Sequence, residues 1–175
     1  MAAVVFLVQT LIGLLLFAVL LRLLLQWVRA DFRNPLAQAL VQITNPIVVP
    51  LRRLLPAVYR VDTASVVVVV VLGLLKVAAA PLLTGGGLLP LPLWLWLTFR
   101  ELTTTVLWTY LVAIFLYALL SMLAQNNYSP VQPMLAALCE PLLRPLRRLI
   151  PAIGGLDLSP LWAIILLQAL LILLN

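Results

Sequence analysis

Histidine is absent from this 175-residue chain, and cysteine occurs once, as Cys139. Together these absences exclude a Cys/His metal centre, a His-ligated haem, a disulfide within one chain, and Ser-His-Asp or Cys-His catalysis. Charge is scarce as well: eleven basic and five acidic residues make up 9% of the chain, against 65% hydrophobic residues and a mean hydropathy of +1.21. So little polar surface cannot cover a soluble core, and the chain reads as an integral membrane protein. The first apolar run is longer than a signal-peptide core and lacks a small-residue cleavage site, so it is expected to stay in the mature protein. No polar side chains are spaced for acid–base or nucleophilic work. No enzyme activity and no cofactor or metal is expected.

What the chain does have is a set of apolar runs long enough for membrane helices, which need about 20 residues to cross a core about 30 Å thick. These are Val4 to Val28, Ala64 to Leu83, about Thr103 to Ala124, and about Leu161 to Asn175. The expected fold is an all-α membrane protein with four transmembrane helices, arranged as two parallel two-helix repeats. Residues 1–83 and 101–175 form the repeats, joined by a Gly/Pro/Trp-rich external loop at 84–100. Arg22 lies in the last turns of the first run, where its stem can carry the guanidinium to the headgroups. Lys76 and Glu101 reach similar depths from opposite directions and are a candidate intramembrane pair. Gln168, inside the last run, is expected to bond across a helix pair.

The repeat is written most plainly in the connecting loops. Asn45-Pro46 through Pro50, Leu51-Arg52-Arg53-Leu54 and Pro56 recurs as Glu140-Pro141 through Pro145, Leu146-Arg147-Arg148-Leu149 and Pro151, at an offset of 95 positions. Asp62 and Asp157 follow at the same offset, and Ser129-Pro130 stands where Asn34-Pro35 stood. Asn caps helices and Pro suits their first position, so Pro35 to about Thr44 and Pro46 to Pro56 read as two short interfacial helices, with a similar pair in the second repeat.

Eight of the eleven basic residues (Arg29, Arg33, Arg52, Arg53, Arg60, Arg144, Arg147, Arg148) fall in these two loops. The positive-inside rule then places both loops in the cytoplasm and both termini in the periplasm. Topology alone accounts for such a bias. The alternative is docking of anionic phospholipid, or of an acidic protein surface, by Arg52, Arg53, Arg144, Arg147 and Arg148. Nucleic acid is not an expected direct partner, whereas a homo-oligomer or a larger membrane complex is.

The repeated Pro-x-x-x-Pro-Leu-Arg-Arg-Leu-x-Pro stretch, with Asn34-Pro35 before it and Leu156-Asp157-Leu158-Ser159-Pro160 after its second copy, resembles the YggT (YlmG) family of bacterial and plastid membrane proteins. The resemblance covers nearly the whole chain as two tandem family domains. The first copy departs from it, with Arg60-Val61-Asp62-Thr63-Ala64 where the second has Gly155-Leu156-Asp157-Leu158-Ser159. The resemblance implies a small bacterial inner-membrane protein from a family associated with osmotic-stress tolerance, cell division and nucleoid organisation, and cytochrome haem attachment in chloroplasts. Three functions follow as expectations: a non-enzymatic membrane organiser or assembly factor, an oligomeric small channel or osmolyte pathway, and an accessory factor for haem attachment. Four helices with so few polar residues cannot line a pore in one monomer. For haem attachment, Cys139 among apolar neighbours and before Glu140 is a poor transfer thiol.

Overall fold

The computed structural model describes residues 1–55, 62–123, 129–149 and 157–174. These residues form six α-helices: α1 (Ala2–Trp27), α2 (Pro35–Leu54), α3 (Thr63–Leu83), α4 (Leu91–Leu123), α5 (Val131–Leu149) and α6 (Ser159–Leu174). Helices α1, α3 and α4 are long and apolar enough to cross a membrane, and α6 is a shorter apolar helix. Their outward faces carry Leu7, Leu11 and Leu14 on α1, Phe115 and Met122 on α4, and Ile165 and Ile172 on α6, as helices bathed in lipid require.

Two expectations are corrected. The connecting segments do not break into pairs of short helices; each is one continuous helix, α2 with Pro46 and Pro50 inside it and α5 with Pro141 and Pro145. A proline within a helix ordinarily costs about 3 kcal/mol, because it removes an N–H and crowds the carbonyl four residues back. Here both prolines of each helix are four apart and exposed, so the carbonyls they release lie on the outward face, where water or headgroups can bond them. The opposite face buries Thr44 and Val48 in α2, and Leu135, Leu138, Cys139 and Leu143 in α5. That burial holds the helices together through the prolines. Pro56 and Pro151 lie outside the described residues.

The third span also starts earlier than expected. Helix α4 begins at Leu91 rather than near Thr103, so most of the segment read as an external loop is helical. Pro90 accepts the Trp94 N–H at 2.9 Å, and Pro92 occupies the first turn, where an N–H has no intrahelical partner to lose. At 33 residues α4 is about 50 Å long, more than a bilayer core requires. The remaining turn after α3 is closed by Gly85 at φ 78°, with the Gly86 N–H on the Pro81 carbonyl at 2.9 Å. Helix α1 ends in the same way, but with Arg29 in the left-handed position at φ 56°. The Ala30 N–H returns to the Leu25 carbonyl at 2.9 Å.

By internal contacts the chain divides into two compact units. One comprises Met1–Leu23 and Leu40–Thr105, the other Leu24–Ala39 and Val106–Asn175. These units do not follow the sequence repeat, since the start of the first connecting helix belongs to the second unit.

Candidate functional site

In the first unit, Arg52 sits in the last turn of α2 and Asp62 just before α3. The guanidinium grips the carboxylate through Nε, at 3.2 and 3.1 Å to its two oxygens, and through a closer contact from a terminal nitrogen. The Ser65 hydroxyl donates to the same carboxylate at 2.6 Å. Asp62 is only 2% exposed. Burial pushes its carboxyl up, but the hydrogen bonds from Arg52 and Ser65 together outweigh that and hold it below the ordinary carboxylate range.

Arg22 does not snorkel. It is 3% exposed and donates to the Thr44 hydroxyl at 2.7 Å and the Asn45 side-chain oxygen at 3.0 Å, tying α1 to α2. Thr44 passes the bond on to the Leu40 carbonyl at 2.8 Å.

The second unit carries the corresponding arrangement. Arg147 Nε donates to Asp157 at 2.8 Å, and its terminal nitrogens donate to Glu140 at 2.9 Å and to the Tyr117 hydroxyl at 3.4 Å. Asp157 also accepts the Ser159 N–H at 2.9 Å, which turns the chain into α6. Burial raises the Asp157 carboxyl, and the bonds from Arg147 and Ser159 bring it net below its ordinary value. Hydrogen bonding to Asp157 stabilises the Arg147 cation further.

Position by position at the repeat offset, Arg52 matches Arg147 and Asp62 matches Asp157, while Arg22 becomes Tyr117, Thr44 becomes Cys139 and Asn45 becomes Glu140. The shared element is an arginine at the end of a connecting helix bonded to an aspartate ten residues on, at the start of the next helix. That spacing was present in both copies of the sequence and is the signal that would have separated these arginines from their neighbours.

Of the five candidate docking arginines, Arg52 and Arg147 are therefore committed to internal carboxylates. Arg53, Arg144 and Arg148 are exposed and enter no ion pair among the described residues. Asn34 caps α2, accepting the Leu36 N–H at 2.9 Å, and its amide donates to the Pro130 carbonyl. Asn34 and Pro130, with Asp31, Arg33, Pro35, Pro133 and Met134, line a cavity of about 460 Å³. Lys76 and Glu101 are brought together as an ion pair, and the Lys76 ammonium lies over Gly13 of α1. Gln168, expected between helices, is exposed on α6. Cys139 is buried, and that burial, with Glu140 adding and Arg147 opposing, pushes its thiol up to about 12.

A groove of about 640 Å³ opens in the second unit beside Arg147 and Asp157. Tyr117, Ser121, Arg147 and Asp157 are its polar lining residues, and Ala118, Met122, Leu161 and Ile164 are apolar ones.

The sequence matches the CCB3/YggT family over residues 1–83 and again over 96–175, two segments that together take in both arginine–aspartate pairs. The chain belongs to the CCB3/YggT family. It is similar to the YggT protein of Escherichia coli K12, at 38% identity over 177 residues, covering 97% of this chain and 88% of that one. A Pseudomonas aeruginosa protein is 38% identical over 170 residues, covering 95% and 85%. A Vibrio alginolyticus protein from the region 3' of proC is 39% identical over 168 residues, covering 93% and 88%. No solved structure matches. The double match gives this member of the CCB3/YggT family one arginine–aspartate pair in each family segment.

Proposed function

We propose that this CCB3/YggT protein is a non-enzymatic organiser or assembly factor of a bacterial inner membrane, with four spans and both connecting helices on the cytoplasmic side. Arg53, Arg144 and Arg148 engage anionic phospholipid and so hold α2 and α5 at the headgroups, where other membrane components assemble against them. The observation that carries this reading is the division among the arginines. One in each copy is bonded to an aspartate of the same chain, and the adjacent one is exposed and enters no ion pair among the described residues. A cation near an anionic surface is worth about 1 kcal/mol, so three give reversible, salt-sensitive attachment. The absence of a thiol ready to ionise and the lack of histidine favour this role over group transfer.

The test is co-purification in mild detergent, with retained lipid and protein identified. The chain carrying Arg53→Gln, Arg144→Gln and Arg148→Gln is expected to lose bound anionic phospholipid and its associated proteins while remaining folded. Unchanged retention of both would overturn the proposal.

A further inference from the structure

The groove beside Arg147 has a charge balance unlike that of the exposed arginines. Arg147 is surrounded by two carboxylates, Glu140 at 2.9 Å and Asp157 at 2.8 Å, so the cluster is net negative by one charge. At the matching positions of the first copy, Arg22 bonds Thr44 and Asn45 while Arg52 bonds Asp62, so two arginines stand with one carboxylate and the sign is reversed. Asp157 is 41% exposed and borders the groove, whereas Asp62 is closed off.

From this geometry we infer that the groove binds the headgroup of a zwitterionic aminophospholipid. Its primary ammonium donates to the open side of Asp157, and its phosphate receives the remaining N–H groups of Arg147 and the Tyr117 hydroxyl. An arginine has five N–H donors, and Arg147 uses one on each nitrogen internally, leaving the second N–H of both terminal nitrogens for a phosphate. The apolar lining residues Ala118, Met122, Leu161 and Ile164 stand beside these polar groups on α4 and α6, and they receive an acyl chain. A volume of about 640 Å³ suits a headgroup and the first part of a chain. A purely anionic lipid would bring a second negative charge to a cluster already in carboxylate excess. A choline headgroup has no N–H to offer Asp157, and quaternary ammonium sites are built from several aromatic faces, of which this groove supplies Tyr117 alone. The inference rests on α4 and α6 lying in a bilayer, and it concerns a different surface from the exposed arginines.

Native mass spectrometry of the delipidated full chain tests it, by titration with phosphatidylethanolamine, phosphatidylcholine and phosphatidylglycerol of identical acyl chains. Phosphatidylethanolamine is expected to bind roughly tenfold more tightly than phosphatidylcholine, the worth of one charge-assisted hydrogen bond. Ala118→Phe fills the groove at its apolar lining residues without touching the ion pairs. It should remove the phosphatidylethanolamine adduct and leave the phosphatidylglycerol adducts that the exposed arginines hold. Asp157→Asn should abolish the preference for ethanolamine over choline, and Glu140→Gln, which neutralises the cluster without altering the groove wall, should weaken it if the first variant does not fold. The Arg53→Gln, Arg144→Gln, Arg148→Gln chain should lose phosphatidylglycerol and keep the ethanolamine preference, so the two proposals fail separately. Equal binding of ethanolamine and choline lipids, an ethanolamine adduct untouched by Ala118→Phe, or selective loss of phosphatidylglycerol from that variant would each overturn the inference.

Discussion

Replacing Arg52 by methionine isolates the internal ion pair of the first unit. Methionine keeps the length of the stem but leaves Asp62, 2% exposed, with the Ser65 hydroxyl in place of a cation. Because Arg52 is itself 42% exposed, water can reach part of the vacated site, and leaving the buried carboxylate short of its partner costs about 1–3 kcal/mol. Adding Asp62→Asn takes away the stranded charge and should restore more than half of the loss. The matching Arg147→Met change should cost only about 1 kcal/mol, since Asp157 and Glu140 are 41% and 49% exposed and water replaces the lost cation. Reversible unfolding in mixed micelles, followed by tryptophan fluorescence at neutral pH, measures all of these. The dependence on pH has a definite sign. The native Asp62 carboxyl is held below its ordinary value, so its contribution is complete above the unfolded pKa of about 3.9 and is lost as pH falls through the lower folded value. In Arg52→Met, burial without a cation raises the folded value instead. The variant's deficit is then largest near neutrality and shrinks as acid protonates Asp62. A cost below about 1 kcal/mol for Arg52→Met, or a double variant less stable than the single one, would show that Arg52 does not stabilise the Asp62 carboxylate.

Other expectations concern the backbone, the packing and the thiol. Arg29→Gly should stabilise the chain by about 1 kcal/mol in the same unfolding assay, because it relieves a side chain held in the left-handed region at φ 56°. Gly73→Val should destabilise it by about 1–3 kcal/mol, since a Cβ at Gly73 already meets Leu102 at 2.9 Å and Thr98 at 3.2 Å, and branching adds to both contacts. Cys139, buried and with its thiol pushed up to about 12, should resist a maleimide at pH 7 in the folded chain and react on unfolding.

The apolar runs were legible because lipid demands unbroken hydrophobicity, and α1 and α3 fall within two residues of their expected starts. The Lys76–Glu101 contact was legible for a related reason, since two opposite charges at similar depth in an apolar layer have few other partners. Proline misled the reading of α2 and α5. A proline usually marks a helix start, and its tolerance inside these helices depends on the face it occupies, which only tertiary packing decides. The same ambiguity hid the first turns of α4 behind Pro90 and Pro92. Arg52 and Arg53 are adjacent and chemically identical, yet one bonds Asp62 and the other enters no ion pair among the described residues. The distinction lies in helix phase, and the recurring arginine-to-aspartate spacing was its trace in the sequence. The exchange of Arg22 for Tyr117 was equally open to alignment of the two copies, but its consequence for local charge appears only when Arg147 is seen bonded to Glu140.

The most direct test of the account compares two sets of arginine variants in one preparation, measuring the unfolding midpoint and the retained anionic lipid for each. Arg53→Gln with Arg144→Gln and Arg148→Gln should shed anionic lipid while keeping the native midpoint, and Arg52→Met with Arg147→Met should lower the midpoint and keep lipid at temperatures where the chain is folded. Lipid loss from the second set under those conditions, or a fall in stability from the first without lipid loss, would contradict the division between structural and docking arginines.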